Sequence, residues 1–265
     1  MFPLHTKTFP TSALELARLM NESVQRVFLT AAEPVTIETG VYPALKSVRI
    51  RLDHARLRPE PPRPPTVFGQ RAPALRVQEL QLEGSHLSLG PATVDLRLNA
   101  RDVRFDQARD AENGIVLLLQ SAAAGEVQII ADKAELEKAI AAFATQEAGK
   151  QGVTIEDVSL KFHERGARSL SVEVQVKARK LFFSTVIRIA ADLDLDDELN
   201  ATISGLACKG EGAIGTLACG VLAPHLQKLD GRTFSLLALP LGDIRLRDVR
   251  IAAADTISVT AEFGV

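Results

Sequence analysis

The chain has 265 residues, of which 46% are apolar and 24% charged, and its formal net charge is −2. That length suits one large β-rich domain, the near-neutral balance offers nucleic acid no basic surface, and no apolar run reaches the roughly 18 residues of a membrane-spanning helix. With no Trp, one Tyr and eleven Phe, stacking platforms for single-stranded nucleic acid or sugar rings are poorly supplied.

Residues 1–7 carry no basic stretch followed by an apolar one, so no secretory signal is visible. The expected location is cytoplasmic, peripheral to a membrane, or periplasmic had a leader been trimmed; residues 1–11 read as a flexible N-terminus. Ser12-Ala-Leu-Glu15 then reads as a capping box. Behind it Ala13, Ala17, Met20, Val24, Val27 and Phe28 recur at steps of three and four, which predicts a helix of about four turns. Val48, Ile50 and Leu52 alternate with Arg49, Arg51 and Asp53, and His54 falls in the inward phase. A Pro-rich stretch from Arg58 to Pro65 predicts an exposed loop over 58–74. Around it, Lys46, Arg49, Arg51, Arg56, Arg58, Arg63, Arg71 and Arg76 outnumber Asp53 and Glu60, a segment (46–76) suited to peripheral contact with an anionic membrane surface.

Leu75 and Val77 are followed out of phase by Leu80 and Leu82, as Ile244 and Leu246 are by Val249 and Ile251. Such slips predict β-bulges and a strongly curved sheet. Val94, Leu96 and Leu98 alternate cleanly. Asp132-Lys-Ala-Glu135 caps a second helix with a stripe of Leu136, Ile140, Phe143 and Ala144, stopped by Gly149 and Gly152. Next come the alternating sets Leu170, Val172, Val174, Val176 and Ile187, Ile189, Ala191, Leu193, Leu195. A third helix over about 215–229 carries Leu217, Val221, Leu222, Leu226 and Leu229, with Pro224 expected to kink or split it. Ile257, Val259, Ala261 and Phe263 close the chain. Period-two alternation of this kind means antiparallel sheet with one wet and one dry face. Val35-Thr-Ile-Glu38 and Val153-Thr-Ile-Glu156 each follow a capped helix, an echo that fits either duplication or chance.

Gly210-Glu-Gly-Ala-Ile-Gly215 matches the dinucleotide-binding GxGxxG, but alternating strands before it and Glu211 within it favour a turn entering a helix. His5, His54, His86, His163 and His225 are scattered, with no metal-binding spacing. Gly84-Ser85-His86 lacks the spacing of a nucleophile elbow. The run Asp192, Asp194, Asp196, Asp197, Glu198 lacks the glycine and late Glu of a calcium loop and reads as a solvated strand end. Cys208 and Cys219 read as buried free thiols, with a disulfide the alternative in an oxidising compartment.

The order of these segments resembles the tubular lipid-binding (TULIP) superfamily and, within it, the bacterial LmeA-like phospholipid-binding family. The carrying features are the first helix leading into Val35-Thr-Ile-Glu-Thr-Gly-Val-Tyr-Pro-Ala-Leu45, the strand Gly125-Glu-Val-Gln-Ile-Ile-Ala-Asp132 before the second helix, and Leu239-Pro-Leu-Gly242 followed by Arg247-Asp-Val-Arg-Ile251. The resemblance implies a single α+β domain with a long, strongly curved antiparallel sheet wrapped around amphipathic helices and enclosing an apolar groove. A phospholipid or fatty acid is the expected ligand, for lipid transport or membrane-lipid homeostasis. The expected lining is Met20, Val24 and Phe28, Ile140 and Phe143, Phe183 and Ile187, and Leu222. No catalytic residue, metal or cofactor is expected; a lipid esterase and a ligand-free scaffold are the competing readings.

Overall fold

A computed structural model describes residues 1–90, 92–149, 152–180, 183–235 and 246–264. In chain order the elements are β1 (Phe2–Pro3), α1 (Ala13–Val27), β2 (Phe28–Leu29), β3 (Val35–Thr39), β4 (Ala44–Arg51) and β5 (Arg56–Leu57). Then come β6 (Val67–Leu89), β7 (Ala92–Asp110), β8 (Ile115–Ser121), β9 (Ala124–Asp132) and α2 (Lys133–Gly149). The remainder is β10 (Thr154–Gly166), β11 (Ser169–Lys180), β12 (Phe183–Leu195), β13 (Asn200–Gly210), α3 (Gly212–Leu229), β14 (Thr233–Ser235), β15 (Leu246–Ala253) and β16 (Thr256–Phe263). The fold is α+β and mostly strand. One sheet follows the order β15-β16-β9-β7-β6-β4-β3, and a second the order β10-β11-β12-β13-β14. The segment around Leu239-Pro-Leu-Gly242, and Ile244 with it, lies outside the described residues.

Contacts divide the chain into two compact units: Met1–Ile129 with Leu237–Asp248 and Thr260–Val265, and Ile130–Leu236 with Val249–Val259. In the first unit Ser12 caps α1, its hydroxyl accepting from the Glu15 N–H at 3.2 Å. The reciprocal bond is displaced by one residue: Glu15 Oε2 accepts from the Thr11 N–H at 2.9 Å. The buried side of α1 holds Ala13, Leu16, Leu19, Met20 and Val24, so Leu16 rather than Ala17 completes the stripe. Phe28 has left the helix and sits on β2. The side chain that fixes α1 is polar. Asn21, buried, donates from Nδ2 to the Val35 carbonyl at 3.3 Å and accepts the Val35 N–H on Oδ1 at 2.7 Å.

Residues 1–11 are not the free terminus expected. Phe2 and Pro3 pair with Leu117 and Val116, and Leu4 is fully buried, because apolar Phe2 and Leu4 extend the core. The exposed Pro-rich loop ends earlier than expected, since β6 begins at Val67. Nor is this sheet wholly antiparallel: β6 runs parallel to β4 and to β5. A parallel neighbour needs a long return connection, and the chain between β5 and β6, which holds the prolines, completes it.

The phase slips are real and shared. Buried positions change from Leu45 to Val48 on β4, from Val77 to Leu80 on β6 and from Ala100 to Val103 on β7. These positions face one another in register, Leu45 with Val77 with Val103, and Val48 with Leu80 with Ala100. Each strand therefore carries the same extra residue, and pairing continues on both sides. Asp102 takes it up with φ of 49°, as Asp248 does on β15 with φ of 51°, a left-handed conformation that Asp tolerates better than most residues.

The Tyr42–Pro43 peptide is cis, and the Tyr42 hydroxyl donates to the Pro10 carbonyl at 2.6 Å. Burial, and then the nearby Glu15 carboxylate, push the Tyr42 pKa up from 10.0 to about 12. A raised folded-state pKa retains its stabilisation below the unfolded value and loses it as pH rises toward the folded one. Stability should therefore fall as pH climbs from 10 toward 12, and Tyr42→Phe should flatten that slope; equal slopes in urea titrations would refute the assignment. Removing Asn21 strands a buried N–H and a buried carbonyl, each costing about 1–3 kcal/mol. Asn21→Ala should accordingly lower the unfolding free energy by about 2 kcal/mol or more, read from the urea midpoint.

Candidate functional site

In the second unit, directly paired residues of neighbouring antiparallel strands point to the same side of the sheet. Register builds three apolar rows across β10, β11 and β12: Val158–Val176–Ile187, Leu160–Val174–Ile189 and Phe162–Val172–Ala191. The first row is buried throughout. In the second, only Leu160 is buried, and Val174 and Ile189 are half-buried; the third is half-buried throughout. The opposite face is wet and internally paired. Lys161 meets Glu173, Lys177 meets Asp157, and Arg165 lies 3.1 Å from Asp194 and 3.4 Å from Asp192.

Two helices border these rows from opposite margins. α2 packs on β10, and α3 on β13 and β12. Asp132 caps α2 as expected, accepting the Glu135 N–H at 3.1 Å, and Glu137 Oε1 accepts the Leu160 N–H of the edge strand at 2.8 Å. The stripe of α2 is nonetheless open: Leu136, Ile140 and Ala144 are half-buried and Phe143 is 63% exposed. α3 is one helix that contains Pro224 and is not split by it.

Close packing explains the glycine run. A Cβ on Gly210 would collide with the Gly215 backbone, and one on Gly215 would lie 2.6 Å from Thr185 Oγ1. Gly210 and Gly215 thus let the first turn of α3 approach the sheet, and the Thr185 hydroxyl seals that approach by donating to the Glu211 carbonyl at 2.9 Å. The expectation of free thiols is overturned. Cys208 on β13 and Cys219 on α3 form a disulfide with Cα atoms 5.5 Å apart, brought together because both occupy the facing surfaces of strand and helix.

The eight expected lining residues fall in both units. Met20, Val24 and Phe28 belong to the first, where they are 2%, 4% and 1% exposed and form closed core. Ile140, Phe143, Phe183, Ile187 and Leu222 belong to the second. There Ile187 is buried in the first row, Ile140 and Leu222 are half-buried, and Phe183 is 62% exposed. The half-buried Val172, Val174, Ile189 and Ala191 are read from sequence as dry-face strand positions but not as lining residues.

Elsewhere the chemistry is weaker. His54 does not point inward; it is exposed with φ of 56°, and its ring stacks on that of His86 with centroids 5.4 Å apart. Ser85 Oγ donates to Asp53 at 2.7 Å rather than to a histidine. That bond, and then the Ser85 N–H, hold the Asp53 pKa below its usual value. A cleft of about 390 Å³ in the first unit is lined by Glu79, Gln81, Asn99, Arg101, Glu126 and Glu262 together with Leu80, Ala100, Ala124 and Gly125. The acidic run is occupied by its own neighbours. Asp192 and Asp194 accept the Ser171 and Ser169 hydroxyls, Asp196 accepts the Glu198 and Asn200 N–H groups, and Asp197 pairs with Arg168. Among the described residues no group of three or more His, Cys, Asp or Glu is placed to hold a metal ion, and no helix is long and apolar enough to cross a membrane.

No family model, curated protein or solved structure matches this chain.

Closing a short loop with a disulfide stabilises by about 3 kcal/mol. The unreduced protein should react with no thiol reagent, and Cys208→Ser should lose about 3 kcal/mol of stability. Stoichiometric alkylation before reduction would contradict the bond.

Proposed function

We propose that the chain binds a lipid, a phospholipid or fatty acid, in a groove over the five-stranded sheet, for lipid transport or membrane-lipid homeostasis. The observation that carries this reading is the half-open pair of apolar rows around Val172, Val174, Ile189 and Ala191, bordered by α2 and α3. A fully packed domain of this size closes its dry face, as the first unit does around Met20 and Val24. Here the face needs a further apolar body. The resemblance to the tubular lipid-binding superfamily belongs to the same proposal, as do its strong curvature and enclosed groove.

Burying one methylene is worth about 0.8 kcal/mol, so an acyl chain of about sixteen carbons gains on the order of 12 kcal/mol over water. Relative to a bilayer interior the difference is near zero, since both surroundings are apolar. Such a site exchanges lipid with membranes instead of trapping it. The Cys208–Cys219 bond favours an oxidising compartment such as the periplasm over the cytoplasm. Contact with anionic lipid through residues 46–76 receives less support. Arg49 is bonded to Gln81, Arg58 to the Gln25 carbonyl and Lys46 to Glu38.

Native mass spectrometry with lipid extraction tests the reading. A phospholipid or fatty acid near one per chain is expected. Val174→Glu with Ile189→Glu should reduce its occupancy about tenfold, because a half-buried charge opposes an acyl chain. Met20→Ala should cost about 2–5 kcal/mol of stability and leave occupancy unchanged. A lipid-free mass that persists after incubation with mixed liposomes would sink the proposal.

A further inference from the structure

The outer side of α3 has no partner within the described chain. Ile214, Leu217 and Val221 are exposed, Leu217 by 74%. Their spacing of three and four puts them on one helical face, opposite the side that carries Gly215, Cys219 and Leu222. No charged residue occurs between Glu211 and Lys228. The side-chain hydroxyl on this stretch is also spent, since Thr216 Oγ1 donates to the Gly212 carbonyl at 2.9 Å. Phe183, also exposed, lies two residues before Thr185, whose bond to Glu211 sets the start of β12 beside the first turn of α3.

We infer that this face of α3 docks on the surface of an anionic phospholipid bilayer. A protein partner of ordinary composition supplies about one hydrogen bond per 100–200 Å² of interface. From Ile214 to Val221, two turns of helix, this face offers no side-chain donor or acceptor, which suits a partner that needs none, hydrocarbon. The rim supplies the sign of the head groups. Lys228 and Arg232 make no side-chain bond among the described residues, whereas Lys209, next to Cys208 on β13, falls with Arg188 on the opposite face of the sheet. Of the neighbouring carboxylates, Glu211 is neutralised by Arg188 at 2.8 Å, and Asp230, which accepts the Leu206 N–H at 3.3 Å, leaves Lys228 and Arg232 in excess by one charge. Lys228 falls seven residues after Val221, on the same face, where its stem can lie along apolar surface and its ammonium reach phosphate. The helix is fixed in this attitude by the Cys208–Cys219 bond and the Gly210–Gly215 contact, so its apolar side is held outward. The inference deepens the lipid-binding reading and rests on it for its biological sense, but it stands on different residues.

The test is co-sedimentation of the full chain with vesicles of equimolar phosphatidylcholine and phosphatidylglycerol. Leu217→Asp with Val221→Asp should lower vesicle partitioning by about tenfold or more, since each side chain's transfer is worth at least that factor. Lys228→Gln with Arg232→Gln should lower it less, and only at low salt. Lipid occupancy by native mass spectrometry should be unchanged in the Asp pair, which separates failure of docking from failure of the lipid site. The chain has no Trp, so Leu217→Trp provides a single reporter whose emission should shift to the blue on adding vesicles. No shift, equal sedimentation of the Asp pair, or a dimer that the Asp pair dissolves would each overturn the proposal, the last by assigning the face to a second copy of the chain.

Discussion

Strands that are apolar on one side only must have that side covered, and the cover decides where everything else goes. Around α1, in the first unit, the cover is complete. α1 buries Leu16, Leu19, Met20 and Val24, and the sheet answers with Val48, Ile50, Leu80 and Leu82. Such an arrangement survives a shift of one residue only if neighbouring strands shift together, because side chains alternate with a period of two. β4, β6 and β7 do this along one line, so the apolar set stays on the covered side through strands as long as 23 residues. In the second unit the cover is partial, with α2 at one margin, α3 at the other and half-buried rows between.

The helices also answer a second need of open sheets, which is protection of the unpaired edge. β3 and β10 each end a sheet. Each receives a side chain from the helix that precedes it: Asn21 closes on the N–H and carbonyl of Val35, and Glu137 on the N–H of Leu160. The two Val-Thr-Ile-Glu segments thus sit in comparable places, at the start of a strand that follows a capped helix. The same device serves both sheets whether by duplication or by convergence on one physical solution.

How much of this was legible in the sequence depends on the range of the interaction. Ser12 and Asp132 were readable as caps because a cap is a bond three residues long. The one-sided strands were readable because alternation is local. Parallel pairing of β4 with β6 was not, since an alternating strand looks alike beside either neighbour. Asn21 was passed over because a polar residue on a helix gains its meaning only when Val35 comes opposite it. The disulfide likewise needs the fold before Cys208 and Cys219 meet. The lining residues were the least legible. Met20 and Phe143 occupy equivalent places in apolar stripes, yet one is sealed and the other open, because exposure depends on how much surface the rest of the chain can supply.

That shortage is sharpest at α3. Its packed side presents Gly215, Ala218 and Cys219, small groups that bring the helix close, with Leu222 and Leu226 half-buried beyond them. At about 25 cal/mol per Å², burial gains little at its first two turns while Ile214, Leu217 and Val221 face outward. A helix apolar on all sides would ordinarily turn its largest residues to the core. Here the covalent bond to β13, with its contribution of about 3 kcal/mol, and the two-glycine contact fix the opposite choice. The residues left outside are Ile214, Leu217 and Val221, and the same physics that leaves the sheet rows half-open leaves this face uncovered too. An apolar ligand in one place and an apolar surface in the other would complete the burial that the chain itself leaves unfinished.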